Sequence, residues 1–130
     1  MERSKDWLDQ AAADLEHAKS DVVTGFYNWA CFSAQQSAEK AVKAVLQKMG
    51  AEAWGHSVAD LLQGLSVKVK VPDVLMNGAL ELDKAYIPSR YPDAHPSGSP
   101  GSRYTEDEAK RLIQHAEKIY KFCSDLLPSV

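Results

Sequence analysis

Apolar residues in this 130-residue chain recur every three to four positions over long stretches, a period that only helices satisfy. Trp7, Leu8, Ala11, Ala12, Leu15, Ala18 and Val22 predict an amphipathic helix from Ser4 to about Val23, closed by Gly25. A second is expected from about Asn28 to Met49, with Ala30, Cys31, Ala34, Ala38, Ala41, Val42, Val45 and Leu46 on one face and Gly50 as its stop. Its alanine seam permits close helix packing. Ser57 followed by Asp60 reads as a weak capping box for a short helix ending near Leu65. Asp73 is the expected cap of a fourth helix that carries Val74, Leu75, Ala79, Leu82 and Tyr86 and stops before Pro88, with Gly78 weakening its middle. Thr105-Glu106-Asp107-Glu108 is a full capping box opening a long last helix, striped by Ala109, Leu112, Ile113, Ala116, Ile119, Tyr120, Cys123, Leu126 and Leu127. Residues Val67 to Val71 alternate with period two, yet no other strand pattern exists to pair with them, so they are expected to be an extended connector. The fold class that follows is all-α, an up-and-down bundle of four to five helices in one domain spanning residues 1–130.

Composition narrows the function. A net charge of -3 argues against a broad basic face of the kind that coats nucleic acid, while leaving room for a small local phosphate site. The first residues lead straight into the amphipathic pattern without an apolar export or anchor run, so the expected location is cytoplasmic. Cys31 and Cys123 are expected to be buried thiols. His17, His56, His95 and His115 show no ligand spacing on one helix face, and no metal site is expected. His17 and His115 read as solvated and His56 as bonded locally near a cap. Glycine-rich phosphate cradles, zincin motifs, paired-cysteine zinc sites and Gly-x-Ser-x-Gly elbows are absent from the sequence, and no cofactor is expected.

The concentrated chemistry lies in the loop from Ile87 to His95. Residues 88–101 hold four prolines and two glycines, which disfavours a regular element there. Within it Arg90 is followed, after four intervening residues, by His95, with Asp93 between them. Arginine offers a permanently charged fork suited to a phosphodiester, and imidazole is the side chain whose ordinary titration range lies near neutrality. Together they suit metal-independent phosphodiester cleavage, the histidine taking a ribose 2'-hydroxyl proton and the arginine holding the charge that grows on the phosphorus oxygens. The same residues also suit a structural loop, with Arg90 paired to Asp83 or Glu39, Tyr91 packed on the bundle, Pro92 fixing the turn and His95 exposed.

Four segments occur in order: Trp7-Leu8 with Ala11; Ala30-Cys31-Phe32-Ser33-Ala34-Gln35-Gln36 with Glu39-Lys40-Ala41-Val42-Lys43-Ala44; His56-Ser57 before Leu61-Leu62; and Ala85-Tyr86-Ile87-Pro88-Ser89-Arg90-Tyr91-Pro92-Asp93 followed by Tyr104-Thr105. Together they resemble the HEPN family of small prokaryotic helical domains. The resemblance spans nearly the whole chain. It implies a helical bundle, usually a homodimer, with the loop before the last helix near the dimer interface. Active members are metal-independent endoribonucleases whose arginine and histidine map onto Arg90 and His95, within two-component, toxin-antitoxin-like systems. Tyr91 stands where those ribonucleases commonly carry a small polar residue, and Ser97 where a toxin subgroup carries a tyrosine. Other members accompany a minimal nucleotidyltransferase subunit and bind nucleotide, RNA or that partner without cutting. Under that alternative Arg90, Tyr91 and Asp93, with Lys40 and Lys43 adding positive charge, form the nucleotide- or RNA-binding set.

Overall fold

A computed structural model describes residues 2–130. Five α-helices are present and no strand occurs among the described residues: α1 (Ser4–Thr24), α2 (Tyr27–Lys48), α3 (Val58–Leu65), α4 (Asp73–Asp83) and α5 (Glu106–Leu126). None is long and apolar enough to cross a membrane. The hairpin of α1 and α2 turns on Gly25, whose φ of 84° is a left-handed conformation that glycine adopts without strain.

The central helix is α2, which touches α1, α3, α4 and α5. Its alanines at 30, 34, 38 and 41 are fully buried, and the lack of bulk lets neighbouring backbones come near. The buried Ser37 hydroxyl donates to the Ala11 carbonyl oxygen of α1 at 2.7 Å, a direct bond between a side chain of one helix and the backbone of the next. Helix α5 packs on both α1 and α2 and lays down Ala109, Leu112, Ile113, Ala116, Ile119 and Cys123, all buried. Burial pushes the Cys31 and Cys123 thiols up to about 12, so both are inert core groups.

Several local expectations need correction. The Asp73 side chain does not cap α4; Pro72 holds that position and Asp73 is the first helical residue. The end of α4 also comes earlier than the apolar spacing suggests, at Asp83 rather than Tyr86. Residues 66–68 are turns that continue α3, with Lys68 and Val69 donating to the Leu65 carbonyl oxygen, so the alternation at Val67–Val71 does not begin in extended backbone. The loop between α4 and α5 contains two short 3-10 turns, Pro92–Ala94 and Pro100–Ser102, each started by a proline. His115 is not solvated: its Nε2 lies 2.6 Å from Glu81 Oε1, and its ring lies so close to Gly78 that a Cβ there would stand 3.0 Å from it. The glycine that seemed to weaken α4 makes room for α5.

One carboxylate joins two helix ends. Asp83, in the last turn of α4, accepts from the Val58 amide at 2.7 Å, the Ala59 amide at 3.0 Å and the Ser57 hydroxyl at 2.8 Å. Ser57 Oγ in turn accepts from the Asp60 amide, so the start of α3 is capped twice. Replacing Asp83 by alanine is expected to lower stability by about 2 to 3 kcal/mol, because a charged acceptor of three hydrogen bonds is lost. Asp83→Asn, which keeps one acceptor, should lose less; urea unfolding followed by circular dichroism measures both.

Candidate active site

Beyond α4 the chain continues as overlapping turns through residue 90, with Ser89 donating to the Ala85 carbonyl oxygen and Arg90 to that of Ile87. Pro88 has no N–H to give, so a regular helix cannot run on through it. The root of the loop is then fixed from α2: Asn28 Nδ2, buried, donates to the Ser89 carbonyl oxygen at 3.0 Å. Ser89 is itself fully buried and its hydroxyl has no partner among the described residues.

One residue later Arg90 turns back over the bundle. Its Nε donates to the Tyr86 carbonyl oxygen at 3.0 Å, and its guanidinium carbon lies 4.2, 4.8 and 5.1 Å from the ring centres of Phe32, Tyr86 and Tyr91. Such contacts contribute about 0.5 to 2 kcal/mol each, depending on desolvation, and leave the charge in place. The terminal guanidinium nitrogens of Arg90 have no hydrogen-bond partner or carboxylate among the described residues; its one side-chain bond runs through Nε. Pairing with Asp83 or Glu39 does not occur, since Asp83 caps α3 and Glu39 is engaged by Lys43, Gln35, Gln36 and His56.

His95 follows the first 3-10 turn and also folds inward. Its Nε2 lies 2.6 Å from the Pro88 carbonyl oxygen, which can only accept, so Nε2 carries a proton and, in the neutral ring, Nδ1 is the lone-pair nitrogen. The ring stands edge-on to Tyr104 at 6.1 Å. Burial, reinforced by the nearby Cys31 and Glu108, pushes the Tyr104 phenol up to about 12 and keeps it neutral. Arg90 and His95 therefore grip the same short stretch, 86–88, at its two ends, without a hydrogen bond between them.

The other expected binding residues are dispersed. Tyr91 is 47% exposed with its ring beside Arg90, and Asp93 is exposed. Lys40 pairs with Asp14 of α1 at 2.5 Å, and Lys43 pairs with Glu39 at 3.2 Å while lying over the Trp7 ring. Lys40 nonetheless lines a shallow cleft of about 210 Å³ that shares Phe32 with the arginine site and also takes in Trp29 and His17. His17 is mostly exposed, as expected, and is bonded to Ser33 Oγ at 3.0 Å.

Sequence reasoning missed Asn28, Phe32, Tyr86 and His56 as parts of this site. His56 stacks on Tyr86 with ring centres 4.9 Å apart and planes inclined by 16°, and Phe32 is 6.0 Å from Tyr86. No local signal points to the pairing, because it depends on the Asp83 cap, whose partners lie 24 to 26 residues away. Removing the loop's anchor tests its importance. Asn28→Ala should cost about 1 to 3 kcal/mol by leaving the Ser89 carbonyl oxygen unpaired, and should accelerate amide hydrogen exchange at Ser89 and Arg90 more than in α1.

No group of three or more His, Cys, Asp or Glu side chains suited to a metal ion occurs among the described residues. The sequence profile of the HEPN domain matches residues 4–126. Among curated proteins, the chain is 28% identical over 133 residues to "Putative toxin MJ1304" of Methanocaldococcus jannaschii, covering 95% of this chain and 88% of that protein. Among solved structures it is similar to an HEPN domain protein of Thermotoga maritima, with 59% identity, a TM-score of 0.79, and 95% and 98% of the two chains covered. TT1696 from Thermus thermophilus superposes with a TM-score of 0.93 at 48% identity over 96% of this chain and 98% of its own. ST0689, an archaeal HEPN homologue, gives 0.84 at 42% over 98% and 99%. Helix order, the Arg90 loop and these matches agree: the chain belongs to the HEPN domain family.

Proposed function

We propose that this protein is the toxin-like member of a two-component system and cleaves RNA as a metal-independent endoribonuclease, with Arg90 and His95 as its catalytic pair. The observation that carries the reading is the state of those two side chains. His95 has its Nε2 proton committed to the Pro88 carbonyl oxygen and Nδ1 available as a base, while Arg90 holds a guanidinium edge without a partner among the described residues. In this scheme Nδ1 of His95 takes the proton of a ribose 2'-hydroxyl, the 2'-oxygen attacks the adjacent phosphorus, and Arg90 balances the charge on the nonbridging oxygens. The relation to a protein named as a toxin supports the biological setting.

The active form is a homodimer in this proposal. Trp29, Ile87 and Tyr91 leave 44%, 47% and 47% of their surface exposed around the arginine, apolar area that a second copy of the loop would cover. Two loops would then line one groove.

A non-catalytic reading draws on the three rings around Arg90, which build a receptor for a nucleotide or RNA phosphate without any need for His95. It makes the protein a binding subunit for a minimal nucleotidyltransferase. Incubation with structured RNA in excess chelator separates the two. The ribonuclease reading predicts products ending in a 2',3'-cyclic phosphate and a 5'-hydroxyl, with Arg90→Ala and His95→Ala each slowed at least about 100-fold. Absence of cleavage, cleavage retained by both variants, or products with 3'-hydroxyl ends would contradict it.

A further inference from the structure

The ribonuclease scheme leaves one proton transfer unassigned, because the departing 5'-oxygen also needs a proton. We infer that His56 supplies it and that Glu39 is the positioning residue that holds His56 ready. The inference rests on the ribonuclease reading and adds a second histidine to it.

Glu39 is buried in α2, yet its carboxylate meets the imidazole of His56, which is 58% exposed. His56 Nδ1 lies 3.3 Å from both carboxylate oxygens, and because a carboxylate only accepts, Nδ1 donates. Nε2 has no hydrogen-bond partner among the described residues. A carboxylate on Nδ1 fixes the ring and offsets charge on it, the arrangement by which a histidine delivers a proton from Nε2. The backbone is held as well: Gln35, fully buried, donates from Nε2 to the His56 carbonyl oxygen at 2.7 Å. Lys43, 3.2 Å from Glu39, balances the second half of the carboxylate.

The orientation matters because of where His56 stands. The Tyr86 ring carries His56 at 4.9 Å and the Arg90 guanidinium at 4.8 Å, so proton donor and anion ligand share one aromatic support. Their separation is bounded by those two distances laid end to end, and the assignment requires both to reach oxygens of one phosphodiester. A purely structural role needs neither an exposed imidazole nor an unoccupied Nε2.

The step balances without any further reactant. The 2'-oxygen forms a bond to phosphorus as neutral His95 takes its proton, the bond from phosphorus to the 5'-oxygen breaks, and the electron pair on that oxygen takes the Nε2 proton of His56 in its imidazolium form, leaving a neutral ring that keeps its Nδ1–H on Glu39. Exchange with water then restores both histidines.

A leaving-group substitution tests the assignment. Once the cleaved bond is mapped, an oligonucleotide is made with a bridging sulfur in place of that 5'-oxygen, since a thiolate departs without protonation. His56→Ala should cleave ordinary RNA at least about 100-fold more slowly than the parent protein and return to within a few-fold of it on the sulfur substrate. His95→Ala should remain slow on both. Glu39→Gln should follow His56→Ala, with its loss relieved by sulfur, whereas a merely structural defect would slow both substrates equally. His56→Ala that is equally slow on both substrates, or unimpaired on ordinary RNA, overturns the role of His56 while leaving the ribonuclease reading intact. A parent protein that cuts neither substrate overturns that reading and this assignment with it.

Discussion

The carboxylate of Asp83 takes three hydrogen bonds from the beginning of α3 while standing in the last turn of α4. Those bonds fix His56, two residues before α3, against Tyr86, three residues after α4. Asn28 does the corresponding work from α2, holding the Ser89 carbonyl oxygen one residue ahead of Arg90. Two polar side chains, each satisfying backbone groups that a helix end or a loop leaves unpaired, thus set the position of the aromatic support and of the arginine that lies on it.

The aromatic support resolves a difficulty inherent in an arginine-based site on an acidic protein. A guanidinium near a free carboxylate would pair with it and be neutralised. Here Asp83 is engaged by the α3 amides and Glu39 by Lys43 and His56, and the guanidinium lies among the rings of Phe32, Tyr86 and Tyr91. Aromatic contacts of this kind hold the cation without neutralising it. The net charge of -3 therefore says little about this surface, because local pairing decides which charges are accessible.

Helix order and the core were legible from period alone, since burial of α5 and of the alanine face of α2 follows the 3.6-residue repeat. The capping signals at Ser57 and Thr105 were equally readable, as local chemistry acts over three residues. Long-range polar contacts were not. Asp83 looked like one more helical acid, Gly78 like a weak point and His115 like a surface residue, because their partners lie on other helices. Arg90 and His95 were singled out by loop composition, but spacing could not say that each turns back onto the stretch 86–88, nor that His56 belongs beside Tyr86. Glu39 and Lys43 do pair as their four-residue separation suggests, and that local pairing hides the contact of Glu39 with His56.

In the proposed mechanism one phosphodiester is handled jointly by Arg90, His95 and His56. Side-chain nuclear magnetic resonance of the protein titrated with a short 2'-O-methyl RNA, which binds but cannot be cut, examines it directly. The Arg90 Nε–Hε signal and the ring signals of His95 and His56 should shift together along one saturation curve. Saturable binding that moves the backbone elsewhere and leaves these three side chains unperturbed would contradict it.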